Sequence, residues 1–229
     1  TGLSSNTVIL LTANHGDMLG EHGLWFKKHF FDHASRVPLI VHALEYFASG
    51  RSLVNVSLVD LLPTLCDLAG FKVGEHAPQA LDGSSLVSQC EHPEHANSRA
   101  VYAEITSEGV PAPMFMVRSG QYKLIQGGDV PPVLYDLAND PEERSNVADQ
   151  PELTDTRRSL ESLIQNCWDP ASLERDIRLS QRRRRLVHAA HQKGTAPVWD
   201  HRPEDPTVPW IHRGPELYND WAWRGIETP

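Results

Sequence analysis

Two side chains able to bind a metal ion, Asn14 and His15, stand side by side at the end of an apolar run, and two cations, Lys27 and Lys28, follow within the same Thr12–Val41 stretch. An amide oxygen and an imidazole nitrogen are both donors for a divalent cation. An ammonium group nearby can bind an anion and offset negative charge developing on oxygen. Gly16, Gly20 and Gly23 lie between them, where a backbone without Cβ can turn tightly and approach a ligand. His22, His29 and His33 crowd the same stretch. With no thiol beside them and a loop to carry them, they read as polar lining of a site rather than as zinc ligands.

Such residues need elements to hold them. Thr7–Leu11 (TVILL) is an uninterrupted apolar run, the pattern of a strand buried on both faces of a mostly parallel sheet. Polar residues that follow such a strand sit at its carboxyl end, where open α/β sheets build ligand sites. Arg36–His42 (RVPLIVH) reads as the returning buried strand, with Arg36 at its entry placed to pair with Asp32. Asp60 can cap a helix with Pro63 in its first turn and Gly70 at its end, presenting Leu62, Leu65, Cys66 and Ala69 to the sheet. Residues 71–97 read as loop-rich. Ala100–Ile105, Phe115–Ser119, Gln121–Gln126 and Val133–Leu137 read as strands of a small antiparallel sheet, with Gly120 turning the central hairpin. Pro151–Trp168 and Pro170–Lys193 read as helices, the second capped by Asp169 and ended by Gly194. The proline-rich tail carries Trp199, Trp210, Trp221 and Trp223, and without periodicity it has no core of its own in which to bury them.

A chain of 229 residues can bury a sizeable core. Its net charge of -9 argues against nucleic-acid binding, and the four consecutive arginines Arg182–Arg185 point all round a helix, so they read as solvated. No stretch is apolar enough to cross a bilayer. The three cysteines, Cys66, Cys90 and Cys167, are too scattered for a disulfide framework, and a reducing cytoplasm is the default location. The chain starts at Thr1 and enters a strand almost at once, so we expect it to be the C-terminal part of a longer protein.

Read in order, these segments resemble the type I sulfatases of the alkaline-phosphatase superfamily, and among them the C-terminal part of the choline sulfatases. The resemblance rests on TANHGDMLGEHGLWFKK, VDLLPTLCDLAG, LDGSS, VYAEI, MVRSGQYKLI, LYDLANDPEERSNV and SQRRRRLV, together with the Trp199 and Asp200 pair and the aromatic tail. It implies an α/β fold with a small antiparallel sheet subdomain, two helices and an irregular tail. The divisions would be residues 1–97 for the catalytic α/β portion, 98–168 for the sheet subdomain with its packing helix, and 169–229 for the C-terminal helix and tail.

The resemblance also implies roles. Asn14 and His15 would hold a divalent metal ion, calcium being the best fit and Mn2+ or Mg2+ alternatives, with Asn14 standing where the family usually has Asp. Lys27 would contact the sulfate. Glu104, Trp199 and Asp200 would face the far end of the substrate, where a trimethylammonium head needs carboxylates and aromatic faces. His22 and Arg36 would support the site from outside. The nucleophile would be a formylglycine, made from a cysteine in a CxPSR or CxAxR context, and none of the three cysteines here has that context. It would come from the N-terminal part of the same enzyme.

The expected activity is hydrolysis of a small-molecule sulfate ester such as choline-O-sulfate, by a homo-oligomer built through the tail, without nucleic-acid or membrane partners. A phosphonate monoester or phosphodiester hydrolase of the same superfamily is the rival enzyme. A non-catalytic remnant or assembly module is the rival outside enzymes, suggested by Asn14 and the missing nucleophile.

Overall fold

A computed structural model describes residues 6–72, 80–95, 99–107 and 109–194. Two compact units divide the chain, residues 1–177 and 178–229, the boundary falling inside one long helix.

In the first unit, β1 (Ile9–Thr12) pairs antiparallel with β2 (Leu39–His42), Ile9 opposite His42 and Thr12 opposite Leu39. This corrects the expectation of buried strands in a mostly parallel sheet. The two form a two-stranded ribbon, and Ile9, Leu11 and Ile40 are 53%, 53% and 58% exposed. The continuous apolar pattern is that of strands covered on both faces, but here Leu10, Leu39 and Val41 on one face are half-buried and the other face is exposed.

The small sheet forms as expected, in the order β3 (Ala100–Ile105), β4 (Met114–Ser119), β5 (Tyr122–Gly127) and β6 (Val130–Asp136), every pair antiparallel. Gly120 turns the β4–β5 hairpin with φ of 58°, a left-handed conformation suited to glycine. The register sorts side chains by face, because residues directly opposite each other point the same way. Tyr102, Val117, Leu124 and Leu134 form one row; Val101, Arg118, Lys123 and Tyr135 form the next, on the opposite face.

On the first face α4 (Thr154–Cys167) lays Leu160 and Ile164 against Phe115, Val117, Leu124 and Leu134, with Ala148 closing the core. Leu153, Leu163 and Trp168 pack at its margin, whereas Cys167, expected to face inward, is exposed. Leu160 and Ile164 are four residues apart and so share one helix stripe. Helix α5 (Pro170–His191) begins with Asp169 accepting from the Ser172 amide at 3.0 Å, and the Gly194 amide donates back to the His191 carbonyl at 3.2 Å. No helix among the described residues is long and apolar enough to cross a membrane.

Helix α2 (Leu61–Leu68) departs from the sequence reading. Leu62 and Leu65 are 55% and 49% exposed, and the buried residues are Asp60, Pro63 and Thr64. Asp60 is not a simple cap. Its carboxylate accepts from the Ser57 and Ser84 amides at 2.8 and 3.0 Å and from the Arg99 guanidinium at 2.9 and 2.6 Å. A buried carboxylate has to be paired or hydrogen-bonded, and these four donors supply that. Thr64 completes the anchor by accepting from the Leu86 amide at 2.9 Å. A polar hub thus fixes α2, and its apolar stripe is left outward. The expected loop after it also contains a short helix, α3 (Val87–Glu91).

Candidate active site

The metal-capable pair follows β1 directly, and the local hydrogen bonds define how it is presented. The His15 amide donates to Asn14 Oδ1 at 3.0 Å, which orients that side chain. His15 Nδ1 lies 2.7 Å from the Gly16 carbonyl, and Lys27 Nζ lies 2.9 Å from His15 Nε2. A carbonyl only accepts and an ammonium only donates, so the imidazole carries its proton on Nδ1 and offers the Nε2 lone pair. Asn14, His15 and Lys27 are therefore brought together from a sequence separation of twelve residues between His15 and Lys27. Asn14 and Lys27 are exposed and His15 half-buried.

What holds this loop is backbone packing against α1 (Asp32–Ser35). The Gly16 amide donates to the Ala34 carbonyl at 2.8 Å, and a Cβ on Gly16 would overlap the His33 carbonyl oxygen. Only glycine permits that approach. Helix α1 is in turn clamped to the second face of the sheet. Lys123, 1% exposed, donates to the Phe30 carbonyl at 2.9 Å, to Glu143 at 2.6 Å and to Asp32. Glu143 also accepts from the Asp32 amide at 2.6 Å, and Arg118 reaches Asp32 at 3.4 Å. The ring of Phe31 lies 6.1 Å from that of Tyr135. Burial first, then the Glu143 and Asp140 carboxylates, push the Tyr135 phenol above its ordinary pKa, so the phenol stays neutral at physiological pH.

Sequence reasoning missed this clamp. A signal was present: the Gly120 hairpin sets Arg118 directly opposite Lys123, and two like charges facing each other require counter-charges. The carboxylates that answer them, Asp32 and Glu143, lie 91 and 20 residues from Lys123, which no local pattern encodes.

The remaining expected residues are placed differently. His22 has φ of 52°, uncommon for a residue with a side chain, and its ring stacks on Phe31 at 4.0 Å. Arg36 is 69% exposed and lies 3.7 Å from Asp32. Glu104 is exposed on β3 opposite Phe115, and among the described residues it makes no hydrogen bond or ion pair with Asn14, His15 or Lys27. Its charge is felt at Cys167, where burial first, then the Asp82 and Glu104 charges, push the thiol's pKa up. Trp199 and Asp200 lie outside the described residues.

Comparisons with known proteins identify the family. The family described as N-sulphoglucosamine sulphohydrolase, C-terminal, matches residues 20–169, and the one described as choline sulfatase enzyme C terminal matches residues 175–208. Choline-sulfatase of Rhizobium meliloti (strain 1021) is 37% identical over 206 residues, covering 89% of this chain and 40% of its own length. Arylsulfatase K of Bos taurus is 31% identical over 175 residues, covering 71% of this chain and 32% of its own. The crystal structure of phosphonate monoester hydrolase of Agrobacterium radiobacter is similar with a TM-score of 0.58 and 26% identity, over 77% of this chain and 36% of that one. The chain thus spans less than half the length of these relatives. It belongs to the sulfatase family of the alkaline-phosphatase superfamily and matches the C-terminal part of its members.

Proposed function

We propose that the intact protein hydrolyses a small-molecule sulfate ester of the choline-O-sulfate kind, with Asn14, His15 and Lys27 forming one wall of its active site. The observation that carries this reading is the meeting of Lys27 Nζ with His15 Nε2 at 2.9 Å, beside Asn14. Sulfatases of this superfamily use a divalent metal ion. Here the donors fit one: an amide oxygen on Asn14 and an Nε2 lone pair on His15, the latter fixed by the Nδ1 bond to Gly16. Calcium is the best match to the oxygen donor, with Mn2+ or Mg2+ as substitutes. When bound, the ion would offset charge on the sulfuryl oxygens.

His15 has a single Nε2 lone pair, which serves either Lys27 or a cation. With a cation there, Lys27 keeps its three N–H donors for the sulfuryl oxygens and for the departing alcohol oxygen, where negative charge grows as the S–O bond breaks. The nucleophile, a formylglycine in our reading, is supplied from outside this chain. Trp199, Asp200 and Glu104 are proposed to recognise the substrate's cationic end, and the tail to join subunits of a cytoplasmic homo-oligomer.

Hydrolysis of choline-O-sulfate by the intact protein, followed as sulfate release, tests the activity. No release with choline-O-sulfate, alongside turnover of a phosphonate monoester, would transfer the assignment to the rival hydrolase, to which the Agrobacterium radiobacter structure gives weak support. Deleting residues 195–229 is expected to reduce the number of subunits per particle in light scattering, and an unchanged subunit number would remove the tail from assembly.

A further inference from the structure

Apart from Asn14, His15 and Lys27, three side chains converge from three segments. Glu21 comes from the turn after Gly20, His33 from α1 and Glu142 from the turn after β6; one ligand atom of each lies within 4.8 Å of the other two. Neither glutamate side chain has a hydrogen bond or ion pair among the described residues, and both are exposed. His33 Nδ1 is sealed from solvent and has no hydrogen-bond partner. Two facing carboxylates repel each other, and a buried nitrogen without a partner is unfavourable. A cation bound among them would relieve the repulsion between the carboxylates.

We propose that Glu21, His33 and Glu142 bind a divalent transition-metal ion of the Zn2+ class, separate from the ion of the active site. The donor set favours that class. One imidazole nitrogen beside two carboxylates is a donor set that zinc takes, and the two carboxylates balance the ion's charge. Tetrahedral zinc at about 2.0–2.2 Å from each donor brings donors to roughly 3.4 Å apart. The exposed glutamate side chains can close the difference by changing rotamer. His22 is not a ligand, since its ring stacks on Phe31 with its centroid 6.3 Å from that of His33.

The site would act as a staple. It joins the motif loop to the turn that carries Glu143, which already anchors Lys123. The three histidines of the motif stretch did not suggest this arrangement, because the other ligands come from a neighbouring turn and from a residue 109 positions further on. The proposal does not depend on which ester the enzyme cleaves.

The test uses the intact protein, stripped with a chelator and titrated calorimetrically with Zn2+. Wild type is expected to bind one zinc equivalent that the Glu21→Ala/Glu142→Ala double variant lacks or binds at least tenfold more weakly, and His15→Ala is expected to retain it. Both glutamates are exposed, so the metal-free double variant should melt with wild type. Equal zinc stoichiometry and affinity in wild type and the double variant would overturn the proposal. Cobalt gives a second readout: a visible d–d band that disappears in His33→Gln supports the site, and a band unchanged by that substitution contradicts it.

Discussion

At the scale of single residues, the proposed metal site turns on Asn14. An amide oxygen can coordinate a hard cation as a carboxylate does, but without the charge. Asn14→Asp is therefore expected to tighten calcium binding to the intact protein by about tenfold, roughly 1.4 kcal/mol. Isothermal titration checks this, and an unchanged affinity would mean that Asn14 is not a ligand. Asn14, His15 and Lys27 could be singled out from the sequence through the resemblance to the sulfatases, because the motif that carries it is local to one loop. The placing of Glu104 could not. Alternation along β3 sets its face, but which groups lie near that face depends on the fold around Cys167.

At the scale of elements, the proposed active-site wall is positioned by a chain of contacts: sheet to α1 through Lys123, α1 to the loop through Gly16, and the loop to His15. Breaking a buried ion pair from one side leaves an uncompensated charge and costs about 3–5 kcal/mol. Lys123→Met, which strands Asp32 and Glu143, is expected to lose stability on that scale, measured by urea unfolding of the intact protein; a loss under about 1 kcal/mol would remove the clamp from the account. Gly16→Ala should cost about 1–3 kcal/mol from overpacking against the His33 carbonyl. It should also weaken calcium binding, because relieving the overlap moves the loop that carries the ligands. A melt and a titration on the same sample separate the two effects, and calcium affinity equal to wild type would show that the loop is held some other way. The sheet was legible because alternation and turn glycines are local signals, and the Leu160 and Ile164 stripe because helical spacing is. Helix α2 was misread because its apolar stripe outweighed Asp60, Thr64 and Arg99, whose pairing joins segments up to 39 residues apart.

At the scale of the whole molecule, the exposed apolar residues of the β1–β2 ribbon and of α2 fit a chain that spans 40% of the length of its choline-sulfatase relative. A pattern written for burial on both faces was read correctly as strand, but its pairing partner could not be inferred from the apolar run alone. The central claim is that this chain supplies the cationic group acting on a sulfate ester, and Lys27 tests it most directly. Lys27 is exposed, so its replacement should not disturb packing. In the intact protein, Lys27→Ala is expected to lower kcat/KM for choline-O-sulfate by about 10²–10³, with melting temperature unchanged and calcium affinity no weaker, since His15 Nε2 loses a competitor. A kcat/KM equal to that of wild type would contradict the account.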